Sequence, residues 1–441
     1  MTKIALSAAG IHTWTSKLGN QPMQGQPVSA NTFPSSLDTV LFSGKTATAA
    51  VAKTDNWGLT AQDRAFQAQA RDYAQTIALP RAAKNDKEMQ FDIRAVQELG
   101  SRGFLGVAVP KKNGGMGLGY LQTVLLLEQI AQADPSMAIS LNAHNLAVSL
   151  MEKFCNDDQK KKFLKPLASG QGLAGFGMTE EKVGSDVANI ETTATRDGKH
   201  FVINGGKRLI TNANIAKTFV LLASTKPGEK ARGITTFLVD ANAPGFTRGE
   251  IKDKVGIRGA DWGTLKFHQV RVPEENIIGS ENDGFKNAMY ALNCGRVLVG
   301  AVCLGIAQGA FDRALAYARK RVQFEKPLIE HQAVLHQLAR MEADITQCRQ
   351  YVYHVAKLRD QGADFSHEAA IAKLQASEMA TRVTQQAQLL LGGNGILKEF
   401  EVERYVRDAL AMPIIEGATN IQLNIIGKGL QKRSQSERST S

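Results

Sequence analysis

The sequence predicts a mostly α protein with a central β domain: an N-terminal helical domain, an antiparallel β barrel or sandwich, and a C-terminal four-helix bundle. Three observations carry this. Apolar residues recur at three- and four-residue steps both early and late in the chain, the period of a helix with one buried face. Between those regions, from about residue 173, the texture changes to short β segments punctuated by Gly, Pro and Asn. At 441 residues, 43% hydrophobic and 22% charged, the chain has the length and balance for two or three packed domains.

Residues 1–55 are rich in Ser, Thr, Ala, Gly, Gln and Asn and show no sustained periodicity, which predicts a flexible or peripheral extension. They are acid-poor like an organelle transit peptide, yet contain no Arg. The N-terminal helical domain is expected over 56–172. Thr60 followed by Asp63 reads as an N-cap opening a helix that Pro80 closes, with further helices near 91–101, 120–132 and 136–155. The glycine-rich run from Pro110 to Gly119 lacks a Lys-Ser/Thr ending and reads as a structural turn rather than a phosphate loop.

The β domain is expected over 173–283. Thr192–Arg196 and Lys199–Ile203 flank Asp197-Gly198, a strong hairpin signal, and further strands are expected at Lys207–Thr211, Phe219–Ala223, Ile234–Val239 and Thr264–Val272. The helical bundle is expected over 284–431. One face carries Leu304, Ala307, Phe311, Leu315 and Ala318, the next helix carries Leu335, Leu338, Ile345, Cys348, Val352 and Val355, and a third spans 367–391 before Gly392-Gly393. Residues 432–441 read as a polar tail.

Composition excludes several classes. No apolar run approaches the roughly 20 residues that span a bilayer, so no membrane role is expected. Cys155, Cys294, Cys303 and Cys348 are scattered without metal-ligand spacing, which argues against a metal site and for a reducing compartment. The net charge of +11 suits an anionic partner, but no dense basic block with interleaved aromatics marks a nucleic-acid binder. A ligand carrying several phosphates is compatible.

One stretch near the C-terminus concentrates the chemistry. Glu416 lies among apolar neighbours, Met412, Pro413, Ile414 and Ile415, with Gly417 directly after it. Burial there raises a carboxyl pKa, as suits a general base working near neutrality, and a glycine admits a flat ligand close to the backbone. From this stretch alone, a capping or loop acid is the equal alternative.

Several segments together resemble the acyl-CoA dehydrogenase family over about residues 57–430. They are Gly103-Phe104-Leu105-Gly106; the run from Phe176 to Asp186; the run from Ile203 to Asn212; the run from Ala318 to Phe324; His331-Gln332-Ala333; Leu391-Gly392-Gly393-Asn394-Gly395; and the Glu416 stretch. The resemblance implies an FAD-dependent enzyme that oxidises an acyl-CoA thioester to the trans-2-enoyl-CoA, with Glu416 as the base taking the α-proton while the β-hydrogen passes as hydride to flavin N5. It assigns Phe176, Met178, Thr179, Ser185, Leu209, Thr211, Arg321, Gln323, Phe324, Gly392, Gly393, Ala418 and Asn420 to the cofactor. Ser185, Arg296, Ile415 and Gly417 are assigned to the substrate.

The resemblance further implies a homo-oligomer, at least a dimer and normally a tetramer, in which Arg321, Gln323, Phe324, Gly392 and Gly393 hold FAD across a subunit boundary. It implies an electron-transferring flavoprotein as acceptor, a cytoplasmic or organelle-matrix location, and a role in fatty acid or amino acid catabolism. Four positions depart from the family pattern. Ile415 stands where tyrosine is common, Ala418 replaces a threonine, Leu209 replaces an aromatic, and Leu389 stands where some members have glutamine. Oxidase-type, carrier-protein-thioester and non-enzymatic flavin-binding variants are the alternatives on this fold. Gly295 occupies the position where some members carry the base, which leaves Glu416. Glu403, Arg404, Arg407 and Asp408 read as buried structural ion pairs and His144 as a satisfied core histidine.

Overall fold

The computed structural model describes residues 58–440, with side chains through Gln435; the N-terminal extension lies outside the described residues. Thr60 caps helix α1 (Ala61–Tyr73) in a reciprocal box with Asp63. The helix does not stop at Pro80 as expected. It widens into a π-turn at Ala74–Ala78 and continues as α2 (Leu79–Glu88), ending at left-handed Met89. The Leu79 N–H reaches back five residues to Ala74 O, and the wider turn accommodates Pro80 in the first turn of the new segment.

Helices α3 (Arg94–Ser101), α4 (Tyr120–Ala133) and α5 (Pro135–Phe154) follow close to their expected places. Asp134 caps α5 by accepting from the N–H groups of Ser136 and Met137. Between α3 and α4, the glycine run is a packed turn, since a Cβ on Gly115 would lie 2.2 Å from Val109 O. Two short helices, α6 (Asp157–Gln159) and α7 (Lys165–Ala168), lead into the sheet.

The central sheet has strands β1 (Leu173–Gly177), β2 (Thr193–Asp197), β3 (His200–Thr211), β4 (Ala216–Ser224), β5 (Ile234–Asp240), β6 (Phe246–Glu250) and β7 (Trp262–Pro273). Its order is β1-β4-β2-β3-β7-β6, with β5 also paired to β4. The Asp197-Gly198 hairpin forms in register, Asp197 opposite His200. Two strands expected on either side of Asn204 are one, β3, with bulges that keep it paired to β7. The sheet is mixed rather than purely antiparallel, because β1 runs parallel to β4 and β2 meets β4 in a parallel bridge.

Helix α8 (Gly284–Lys320) is 37 residues long and is the spine of the molecule, packing on α4, α5 and β5 before the sheet ends and on α9 and α10 after it. It is apolar and long enough to cross a bilayer, unlike what the sequence suggested, but 83% of its apolar window is buried inside the protein. The burial of its own Leu298, Val302, Ile306 and Ala310 accounts for its composition. A small hairpin follows, β8 (Val322–Gln323) and β9 (Lys326–Pro327), then α9 (Gln332–Asp360) and α10 (Ser366–Leu390). After α11 (Val402–Ala409), α12 (Thr419–Thr440) completes the bundle and continues as helix into the stretch expected as a polar tail, its side chains exposed there through Gln435.

Candidate active site

Glu416 sits in the turn between α11 and α12 with φ +53°, and Gly417 follows at φ +95°. A non-glycine residue held in the left-handed region costs on the order of 1–3 kcal/mol and persists only where its surroundings fix it. Two buried side chains do so. Lys373 on α10 donates to Pro413 O at 3.0 Å and to Gly417 O at 2.9 Å. Gln422 on α12 donates to Glu416 O at 3.2 Å and to Gly417 O at 2.7 Å. The Thr419 N–H closes the turn on Pro413 O at 3.0 Å.

The Glu416 carboxyl points between α5 and α8. Its Oε1 accepts from Asn142 Nδ2 at 3.4 Å, while Oε2 is buried without a partner. A Cβ at Gly295 would lie 2.9 Å from that Oε2 and 3.0 Å from Leu146 Cδ1, so the bare helix surface at Gly295 makes the room. Burial pushes the carboxyl up to about 7, against the opposing pull of the Arg296 charge, the Asn142 hydrogen bond and the Lys373 charge. Glu416 is therefore a carboxyl that changes charge near neutral pH, with one buried oxygen left without a hydrogen-bond partner.

A second cluster is built where the end of β1 meets β3. Phe176 is buried in β1; Met178 and Thr179 follow it half-buried. Lys207 fixes them: its ammonium, fully buried, donates to Met178 O at 3.2 Å and to Glu180 Oε1 at 2.7 Å. Burial pulls Lys207 down to about 8, whereas Glu180, which burial alone would raise, is held below its ordinary value by that ammonium and the Thr192 and Glu191 bonds. The Arg208 N–H donates to Thr179 O at 2.8 Å. Beyond it Leu209 is half-exposed at φ +57°, and Thr211 pairs with Trp262, whose Nε1 is buried without a partner.

Asn212 ties this cluster to the surroundings of Glu416. Its Nδ2 donates to Ser140 O at 2.9 Å and to Ala174 O at 3.1 Å, and one half-turn further along α5 Asn142 meets Glu416. Met178, Thr179, Leu209 and Thr211 thus come together on the sheet, with Glu416, Gly417, half-buried Ile415 and half-buried Ala418 joined to them through α5. Arg296 is buried on α8 one residue beyond Gly295, its charge acting on Glu416 and its Nε unpartnered. Asn420 is exposed in the first turn of α12, and Ser185 is exposed on the loop after β1.

The third set lies apart. Arg321 and Gln323 are exposed at the β8–β9 hairpin, and Phe324 is 90% exposed at its tip. Phe324 and Glu325 both have positive φ, the geometry of a tight two-residue turn. Gly392 and Gly393 are exposed beside it, their turn held by Asn394 donating to the Tyr317 hydroxyl at 3.0 Å. From Arg296 to Arg321 along α8 is about 38 Å at the helical rise, so this set lies at the C-terminal end of the helix while Glu416 faces its N-terminal half.

His144 is a satisfied core residue: Nε2 donates to Leu105 O at 2.8 Å, Nδ1 accepts from the Ala174 N–H at 3.0 Å, and burial pulls it down to about 4. Arg407 pairs with Glu403 at 2.6 Å and Asp86 at 2.8 Å, as the structural reading expects. Asp408 differs, since its Oδ1 accepts from the Ile257 N–H and burial raises it to about 7. Sequence reasoning missed Asn142, Lys373 and Gln422. For Lys373 a signal existed, a lone cation on the small-residue face of Ala369, Ala376 and Ala380.

The helical domain, the mixed sheet and the helical bundle each correspond to one domain of a known family. Profiles of the acyl-CoA dehydrogenase N-terminal, middle and C-terminal domains match residues 60–171, 175–270 and 282–431. The chain is 36% identical over 372 residues to a short-chain specific acyl-CoA dehydrogenase of Clostridium acetobutylicum, covering 84% of this chain and 98% of the relative. It is 38% identical over 367 residues to the mitochondrial short-chain specific enzyme of Homo sapiens, covering 83% and 89%. The butyryl-CoA dehydrogenase structure from Megasphaera elsdenii superposes with a TM-score of 0.83 at 37% identity, covering 85% of this chain and 99% of that one. The protein belongs to the acyl-CoA dehydrogenase family.

Proposed function

We propose that this protein is an FAD-dependent acyl-CoA dehydrogenase that converts a short-chain acyl-CoA to the trans-2-enoyl-CoA, with Glu416 taking the α-proton. The observation that carries this reading is the Glu416 carboxyl, buried, pushed up to about 7, and without a hydrogen-bond partner at Oε2. The short-chain preference rests on relatives named for short-chain and butyryl thioesters.

The residues present fit a flavin dinucleotide. Thr211 and Leu209 face outward from β3 beside the orphaned Trp262 Nε1, a donor suited to a polar ring edge. Gly392 and Gly393 have nothing within 4 Å of a Cβ, and Arg321 offers a permanent cation to a pyrophosphate. When bound, FAD accepts the β-hydrogen as hydride. Because the Arg321 set lies about 38 Å along α8 from Arg296, it would serve a flavin belonging to a second copy, which makes the working enzyme a homo-oligomer, by family a tetramer.

The chain's own part is proton removal and charge control. Oε2 of Glu416 accepts the α-proton and becomes neutral, the form its burial favours. Among the described residues the Glu416 N–H makes no hydrogen bond, so it is available to the thioester oxygen, and one such donor is worth about 3–4 kcal/mol in a transition state. Leu146, Ile415 and Gly295 exclude water from one side, and Gly417 admits the substrate close to the backbone. The electrons then pass to an electron-transferring flavoprotein, and the enzyme works as a soluble, cytoplasmic-type protein.

The test is anaerobic titration of the purified protein with butyryl-, isovaleryl-, glutaryl- and palmitoyl-CoA. Bleaching of the flavin band, strongest with a C4 or C5 thioester, is expected. A flavin-loaded protein that none of them bleaches would sink the proposal, and stoichiometric peroxide without another acceptor would move it to an oxidase.

A further inference from the structure

The turn that carries Glu416 is fastened by two side chains that nothing so far connects with catalysis. Lys373 and Gln422 are both fully buried, come from different helices, and together hold three backbone carbonyls within five residues: Pro413, Glu416 and Gly417. A buried ammonium is an unusual choice for bonding two neutral carbonyls, because an amide would serve without the desolvation. The difference a lysine makes is charge.

We propose that Lys373 and Gln422 are positioning residues that clasp the Pro413–Gly417 turn in its left-handed form, and that the Lys373 ammonium in addition stabilises the ionised Glu416 carboxylate. The inference rests on Glu416 as the base. Lys373 grips both ends of the turn, so the direction of the Glu416 Cα–Cβ bond is set from α10, while Gln422 fixes the carbonyl of Glu416 itself.

The charges around the pair are accounted for element by element. Glu416 is faced by Arg296 from α8, by the neutral Asn142 from α5 and by Lys373 from α10. Lys373 is faced by Cys303 and Arg296 from α8, by Glu416, and by Glu378 from its own helix. Burial draws Lys373 down to about 8, so its charge persists at neutral pH and is shed on the alkaline side. Burial keeps Cys303 at about 12, so it stays a neutral thiol beside the ammonium. In a site whose own burial disfavours the carboxylate, Lys373 and Arg296 are the two cations that oppose it.

The two side chains separate the two roles. In Lys373→Met its share of the clasp and the charge are both lost; in Gln422→Met only its share of the clasp is lost. For FAD-loaded Lys373→Met, kcat with butyryl-CoA should fall about 10²-fold, the size of effect a small misplacement produces, with KM little changed. The acid limb of its kcat/KM profile should move to higher pH, since a cation that favours the carboxylate is gone. Gln422→Met should lower kcat with the limb unmoved. Hydrogen–deuterium exchange of the peptide over 410–422 should quicken in both, a readout independent of turnover.

Wild-type kcat and wild-type exchange in both variants would overturn the proposal. A lowered kcat in Lys373→Met with an unmoved limb would overturn the charge role and leave the clasp. If Lys373→Met does not fold, unchanged kcat and exchange in Gln422→Met reject the clasp by themselves. Glu416→Gln run alongside keeps the two readings apart: if it turns over, the base assignment fails whatever the clasp variants do, and if it is inactive while both clasp variants behave as wild type, only the clasp fails.

Discussion

Replacing Glu416 by glutamine should make the protein more stable as it makes it inactive, and by an amount that depends on pH. The carboxyl is pushed from its ordinary 4.5 to about 7 in the fold. A carboxyl raised on folding adds nothing below its unfolded value, where it is neutral in both states, and costs progressively more as pH climbs to the folded value. Two and a half units at 1.36 kcal/mol each give a penalty of about 3 kcal/mol above pH 7. The Gln422, Lys373 and Asn142 contacts do not need the charge, because an amide oxygen still accepts from Asn142. The assay is thermal unfolding of the FAD-loaded wild type and Glu416→Gln at one scan rate from pH 5 to pH 8. The midpoints should nearly coincide at the acid end and separate by a few degrees at pH 8, with the variant higher. Turnover should fall by about 10²–10⁴ in the same preparation. A gap that does not widen with pH, or a wild type more stable at pH 8, would refute the account of Glu416 as a desolvated base.

Three further outcomes follow from the geometry. Gly295→Ala places a methyl 2.9 Å from Glu416 Oε2, so the carboxyl must move and kcat should drop roughly tenfold or more, with flavin content unchanged in the visible spectrum. Glu180→Gln strands the buried Lys207 ammonium and should cost about 3–5 kcal/mol of stability by denaturant unfolding, while loosening the Met178–Thr179 segment enough to weaken FAD retention on gel filtration. His144, drawn from 6.5 to about 4, binds its proton more readily in the unfolded chain, so stability should decline by about 3 kcal/mol as pH falls from 6.5 to 4. His144→Gln should flatten that part of the pH profile; an unchanged slope would mean the imidazole is not the group responsible.

Local rules made some of this molecule readable in advance. The Thr60 cap, the Asp197-Gly198 hairpin and the long helices each depend on residues a few positions apart, and they form where expected. Pro80 misled because a helix can pass a proline by widening one turn upstream, which depends on the packing of Ala74 and Ala78 rather than on Pro80 itself. Strand β1 was unreadable as a strand: Leu173–Gly177 is buried on both faces, so it lacks alternation, and its parallel partner lies some forty residues on. The burial of Glu416 was signalled by its apolar neighbours and the glycine after it. Asn142, Lys373 and Gln422 did not, because each matters through a partner on another helix that no spacing within one helix reveals. Phe324, assigned from the resemblance to a cofactor shared across a subunit boundary, stands 90% exposed at its hairpin tip.

Helix α5 belongs to the chain before the sheet, α8, α10 and α12 to the chain after it, and all four close on Glu416. The Glu416 carboxyl is therefore a strain gauge for the assembly of the helices on both sides of the sheet. A slip of α5 against α8 too small to register as unfolding would lengthen the already long Asn142 contact and let water reach Oε2. Such damage, from a distant packing substitution or a warm growth temperature, would surface first as a drift in the pH optimum of the enzyme, before any loss of soluble protein.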